Sequence, residues 1–244
     1  MKKRGDPDGS AAPAVTRHSG GIVRDTSIRT YRAKRDFTRT AEPAPAPAIG
    51  GEGAAMFVVQ KHNARRAGLH WDFRLEHGGV LWSWAVRKGP SLDPADRRLA
   101  AHVEDHPLDY ADFQGRIPEG QYGAGEVETW DRGTWEPIGD PEAAMRKGDL
   151  QFVLHGTRLN GRFHLVRLNR RERSRQDAWF LIKGHDEHER PGVDALALED
   201  EVPPPAPPAK EIGGRAKDRA PPRGVEAAFL GSVGCLVRLP ELAS

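Results

Sequence analysis

His70, Asp72 and Arg74 lie two residues apart in "LHWDFRLE" (69–76), alternating with Leu69, Trp71, Phe73 and Leu75. Strict alternation of apolar and polar residues reads as a strand with one buried face. Residues i and i+2 of a strand share a face at roughly 7 Å between Cα atoms, so an imidazole, a carboxylate and a guanidinium project together. The preceding strand, "MFVVQKH" (56–62), ends on His62, with Gln60 on the same parity. "NARRAG" (63–68) then returns the chain to Leu69, and a hairpin of this kind sets His62 beside His70. Two imidazoles and one carboxylate suit a borderline divalent ion (Mn²⁺, Fe²⁺ or Zn²⁺) with positions left open for substrate or water. The competing reading is a solvated polar face, since an isolated strand histidine is ordinarily a hydrogen-bonded surface residue. Arg74 bears on the substrate. A cation beside a bound metal is repelled unless an anion lies between them, and metal plus arginine is a common way to hold a phosphoryl group.

Further polar residues surround this pattern. In "RRLAAHVEDH" (97–106), Arg98, His102, Glu104 and His106 share parity, Tyr110 follows four residues after His106, and Lys88 ends "VLWSWAVRKG" (80–89). Each on its own reads equally as a solvated charge, and His106-Pro107 as a strand-ending turn. "GQYGAG" (120–125) lacks the Gly-Lys-Ser/Thr of a phosphate loop and reads as a turn. There is no Gly-x-Ser-x-Gly elbow, and the single Cys235 leaves no intrachain disulfide and no cysteine-rich zinc site. "RLNGRFHLVRLNRRERSR" (158–175) holds seven Arg and one acid. It reads as a basic edge able to follow a phosphate backbone, or as a solubilising surface.

The elements that must position these residues are short strands. The 244 residues suffice for one sizeable domain or two small ones, and the net charge of +2 is too small to make the whole chain a polycation. Strand patterns recur at 56–62, 69–76, 80–89, 97–106, 150–159, 161–169 and 178–184. A short strand pair is expected around Asp131-Arg132-Gly133, and one or two helical turns in "AAMRKGDL". The expected fold is mostly β: a small closed or nearly closed barrel of about eight strands with few short helices. Residues 1–29 read as a disordered tail, 30–200 as the barrel domain, 201–224 as a Pro-rich linker, and 225–244 as a segment of unknown role. No apolar run reaches membrane-spanning length, the N-terminus lacks the apolar stretch of a secretory signal, and a reducing, cytoplasmic setting is the simplest reading.

The blocks "FVVQKH", "LHWDFRLE", "SWAVRKGPSLDP", "VEDHPLDYADFQGRIPEGQYGAG" and "YRAKRDFTRTAEP" resemble, in this order apart from the last, which precedes them, the 3′-phosphoesterase domain of bacterial DNA ligase D. The resemblance covers about residues 30 to 190. It implies a β-barrel using a divalent metal, most often Mn²⁺. It also implies action on DNA or DNA/RNA 3′ ends in break repair: removal of a terminal ribonucleoside, then of the 3′-phosphate. Carried over by motif, His62, His70 and Asp72 would bind the metal, and Arg74 and His106 would hold the phosphate, with Tyr110 close by. Gln60, Lys88 and Arg98 would support the site or substrate, and Arg35, Asp36 and Glu42 would form an N-terminal functional segment. Seven residues separate the two metal histidines here, where the family's commoner form has five. No Lys-x-Asp-Gly nucleotidyl site is present, so ligase, polymerase and end-binding functions are expected from other chains. Two other readings stay open. A non-haem iron oxygenase would use His70 and Asp72 with a distal His155 or His164, leaving His62 and Arg74 idle. A non-catalytic nucleic-acid binding module would use the 158–175 edge.

Overall fold

The computed structural model describes residues 25–45, 54–168 and 177–206. Its strands are β1 (Met56–Ala64), β2 (Gly68–His77), β3 (Val80–Val86), β4 (Arg98–His102), β5 (His106–Pro107), β6 (Gly115–Ile117), β7 (Gly125–Pro137), β8 (Asp149–Gly156), β9 (Asn160–Arg167) and β10 (Ala178–Lys183). Eight of them form an antiparallel ring in the order β1-β2-β3-β4-β10-β9-β8-β7, which closes by pairing of β7 with β1. The barrel of about eight strands expected from the alternation is therefore present, and closure leaves no edge in the ring. β5 and β6 lie outside it, on β3 and β7. Three short helices complete the described residues: α1 (Asp25–Ala33), α2 (Pro141–Lys147) and α3 (Ala195–Glu201).

The pleat sends alternate side chains into the barrel. Phe57, Val59, Trp71, Phe73, Leu75, Trp84, Phe152, Phe163 and Leu165 join one buried cluster, with Leu198 of α3 added to it. Leu69 has the same parity but is 40% exposed, because it sits at the hairpin tip. Gly78 and Gly79 have φ of 59° and 82° between β2 and β3, the backbone that a two-residue hairpin turn requires.

The outer face of β1, β2, β3 and β7 is also covered. Val58, Leu81 and Val127 pack there with Tyr31 of α1, Tyr110 and Ala111 of the 3₁₀ turn Leu108–Asp112, Phe113, and Ile117 of β6. This second layer buries the polar parity of β2, where Arg74 is 1% exposed.

Two expectations are corrected. The segment around Asp131-Arg132-Gly133 is no hairpin, since β7 runs unbroken for 13 residues. Gly133 instead serves close strand approach: a Cβ there would lie 2.0 Å from the His155 carbonyl oxygen. Trp130 is the extra residue of a bulge, because Val59 pairs with Asp131 while Gln60 pairs with Thr129. Helix α1 also begins inside the stretch read as tail, and Ile28 and Tyr31 are buried. Spaced by three, they form an anchor too short to show as periodicity. Residues 1–24, the linker beyond 206, and the segment 225–244 lie outside the described residues.

Candidate metal and phosphate site

The register of β1 and β2 places His62 opposite His70, and Gln60 opposite Asp72. All four are buried. His62 Nδ1 is 3.3 Å from Asp72 Oδ2, and His70 Nε2 is 3.7 Å from Asp72 Oδ1. One ligand atom from each of the three residues lies within 4.8 Å of the others. Ligands about 2.1 Å from a shared ion sit roughly 3–3.5 Å apart, so the set fits a divalent cation with little movement. The second ring nitrogens support that fit. His62 Nε2–H donates to the Gly123 carbonyl at 2.8 Å, and His70 Nδ1–H to the Gly68 carbonyl at 2.9 Å. Each bond holds its ring so that the other nitrogen faces Asp72.

Burial alone would raise the Asp72 carboxyl pKa. Arg74, the His62 hydrogen bond and the two imidazoles overcome this and hold it well below the usual carboxylate range. The anion that must separate Arg74 from a metal is thus Asp72 itself in the free protein, at 3.2 Å from Nη2. The other two nitrogens of Arg74 are also engaged: Nε donates to Gln60 Oε1 and Nη1 to Ser83 Oγ, both at 2.8 Å. Its guanidinium lies 4.8 Å from the Tyr110 ring centroid. Gln60 in turn donates to the carbonyls of Tyr110 and Phe113. It orients Arg74 and locks the 3₁₀ turn, and it does not itself line the cavity.

His106 reaches the same cavity from β5. Its Nδ1–H donates to the Glu104 carbonyl at 2.8 Å, and Nε2 accepts from Arg35 at 3.2 Å. Burial, with Arg74 and Arg35 nearby, pushes its pKa well below the ordinary histidine value. Arg35 follows α1 and stacks on Tyr31 with the guanidinium 3.8 Å from the ring centroid. It is bound by Glu42 at 2.7 Å and Glu104 at 3.2 Å. Glu42 also accepts from Thr40 Oγ1 and from the Tyr110 hydroxyl. Burial drives the Tyr110 phenol far above its usual pKa, so it remains a donor. The charged N-terminal segment thus forms one wall of the site.

The cavity measures about 680 Å³ and is lined by His62, His70, Asp72, Arg74, His106, Tyr110 and Arg35 among others. That is room for a nucleotide-sized ligand. Three residues singled out in the sequence are not brought here. Asp36 is exposed and accepts from Thr38 N and Oγ1 in a local turn. Lys88 is exposed, one residue past the parity that faces the cavity, and Arg98 pairs with Asp96 at 2.6 Å. Arg98 and His102 are on the barrel-side parity with Ala100. The shared parity with Glu104 and His106 fails because β4 ends at His102.

Further residues line the cavity. Arg87 continues the outward parity of Ser83 and Ala85, a signal the sequence carried. The "GQYGAG" loop is a turn as expected, but Gln121, Tyr122 and Gly123 also line the cavity. Of the alternative ligands, His155 is exposed beside Glu136 and His164 sits on β9. Among the described residues only His62, His70 and Asp72 cluster with metal-ligand spacing. In the basic edge, Arg158 is buried and spent on the carbonyls of Trp130 and Val202. Arg170, Arg171, Arg173 and Arg175 lie outside the described residues.

Residues 60–167 match the family described as the DNA Ligase D 3′-phosphoesterase domain. The multifunctional non-homologous end joining protein LigD of Pseudomonas aeruginosa is 54% identical over 160 residues, covering 65% of this chain and 19% of that protein. Those of Mycobacterium bovis and Mycolicibacterium smegmatis are 47% and 41% identical over 146 and 147 residues, covering 58% and 57% of this chain. The chain spans less than a fifth of the length of these relatives, 19%, 18% and 19%.

Proposed function

From the premise that residues 60–167 are a domain of the DNA ligase D 3′-phosphoesterase kind, we propose that this chain is a metal-dependent phosphoesterase that trims nucleic-acid 3′ ends. It would remove a terminal ribonucleoside to leave a 3′-phosphate, then the phosphate to leave a 3′-hydroxyl, during end joining in the cytoplasm. Ligase, polymerase and end-binding activities would act in trans. The observation that carries the reading is the convergence of His62, His70 and Asp72 with Arg74 and His106 on one cavity.

His62 Nδ1, His70 Nε2 and an Asp72 oxygen would hold the ion, Mn²⁺ in our reading. A bound divalent ion polarises a phosphoryl oxygen and lowers the pKa of coordinated water. The chain's own groups do the rest. Asp72 cancels charge on the metal side. Arg74 stands pre-oriented by Gln60 and Ser83, so it stabilises charge on the phosphoryl oxygens with little reorganisation. His106 is neutral while two guanidiniums face it. An entering phosphate offsets them and lets Nε2 take up a proton, which it then offers to a phosphate or leaving oxygen. Arg35, anchored by Glu42, would turn from His106 Nε2 to the entering phosphate.

The oxygenase reading loses its support because His155 and His164 lie off the cluster. The binding-module reading leaves the buried triad without a use. The test is release of phosphate from a 3′-phosphorylated oligonucleotide, with Mn²⁺ against EDTA. Release from 3′ but not 5′ ends, lost with EDTA and in Asp72→Ala, is expected. Metal-independent release, or equal release from 5′ ends, would refute the proposal.

A further inference from the structure

We infer that Arg66 and Arg87 hold the phosphodiester on the 5′ side of the terminal nucleotide, as a second contact beyond the metal triad. This rests on the proposed phosphoesterase function and narrows its substrate to a strand with at least one internal phosphodiester, in preference to a free nucleoside 3′-phosphate.

Five arginines line the cavity, and three are already neutralised. Arg35 is bound by Glu42 and Glu104, Arg74 by Asp72, and Arg65 by Glu119. Arg66 and Arg87 are exposed, and neither has an ion pair among the described residues. Unpaired guanidiniums converging on a site that already holds an anion-binding centre point to a second anion.

Their placement says where that anion lies. Asp72 pairs with Ala85, so the same register continued by two residues sets Arg87 opposite His70 on the outward face. Arg66 sits in the β1–β2 tip, beyond the His62–His70 pair. Arg87 is thus level with His70 and Arg66 lies beyond it, both at the end of the site away from Arg74 and His106. Four residues of strand separate the levels of Arg74 and Arg87, about 13 Å. A single phosphoryl group in contact with Arg74 does not span that length, whereas a strand with successive phosphates does. The Arg65 amide donates to the Ala124 carbonyl at 2.9 Å, which ties the hairpin tip to the 120–124 loop and fixes the lip that carries Arg66.

The experiment measures binding of a 3′-phosphorylated oligonucleotide in EDTA, where nothing turns over, across a salt series. Each lost phosphate contact flattens the dependence of log K on log salt by roughly 0.7–0.9. Arg66→Gln/Arg87→Gln should therefore flatten it by about 1.4–1.8. Arg146→Gln, on exposed α2, should leave the slope alone. With Mn²⁺, the double variant's preference in kcat/KM for the oligonucleotide over a nucleoside 3′-monophosphate should narrow about tenfold or more, as two charge-assisted contacts require. An unchanged slope, or equal flattening by Arg146→Gln, would overturn the inference even if wild type is an active phosphoesterase. A flattened slope in a protein that releases no phosphate would refute the proposed function and leave the second contact standing.

Discussion

Arg74→Ala should damage the fold as well as the chemistry, and the metal should repair part of that damage. In the metal-free protein Arg74 is 1% exposed and lies 3.2 Å from buried Asp72. Removing it strands a carboxylate without its counter-charge, and breaking a buried pair in this way costs about 3–5 kcal/mol. Gln60 Oε1 and Ser83 Oγ each lose a partner too, which pushes the cost toward the upper end. For a domain of this size each kcal/mol shifts Tm by about 2–4 °C, so a fall of roughly 6–20 °C is expected in EDTA. A divalent ion beside Asp72 restores positive charge there, so saturating Mn²⁺ should stabilise the variant more than it stabilises wild type. Turnover should still fall about 10²–10³-fold, because charge stabilisation at the phosphate is lost. Arg74→Lys keeps the charge without the fork geometry and should fall between the two. Thermal melts with EDTA and with Mn²⁺, beside 3′-phosphate release, check this. A variant that melts within about 2 °C of wild type in EDTA would refute the reasoning, because Asp72 would then not depend on Arg74.

Asp72→Asn should abolish stabilisation by Mn²⁺, which at a hundredfold excess over Kd is about 2.7 kcal/mol for wild type, read as a thermal shift. The His106 pKa is lowered in the fold, as are those of His102 and His164. The unfolded chain therefore takes up their protons first, near pH 6.5, and metal-free stability should fall as pH drops from 7.5 to 5.5. His106→Gln should flatten that fall in denaturant titrations at the two pH values. Glu42→Gln removes the charge that fixes Arg35 and Tyr110. The segment 34–45 should then be cut faster by protease and activity lost, while circular dichroism still reports an intact barrel.

The alternation of β2 by itself determined the strand, its inward face of Trp71, Phe73 and Leu75, and the company of His70, Asp72 and Arg74. Parity is a local property, fixed by the pleat. The hairpin to β1, and with it His62 beside His70, was equally legible, because "NARRAG" leaves the chain little choice but to turn back. The strand count followed from the spacing of turn signals. Only the tertiary structure decided that the polar face of β2 is buried, under a second layer built from α1, the 3₁₀ turn and β6. That layer comes from segments distant in sequence, and their docking depends on long-range pairs such as Arg35 with Glu104 and Tyr110 with Glu42. It also decided that Gln60 serves Arg74, that Arg98 and Lys88 turn away while Arg87 turns in, and that β7 passes straight through Gly133. Each depends on where a strand ends or where a bulge resets parity. Those are settled by closing the ring between β7 and β1, because closure forces one register on residues about seventy positions apart.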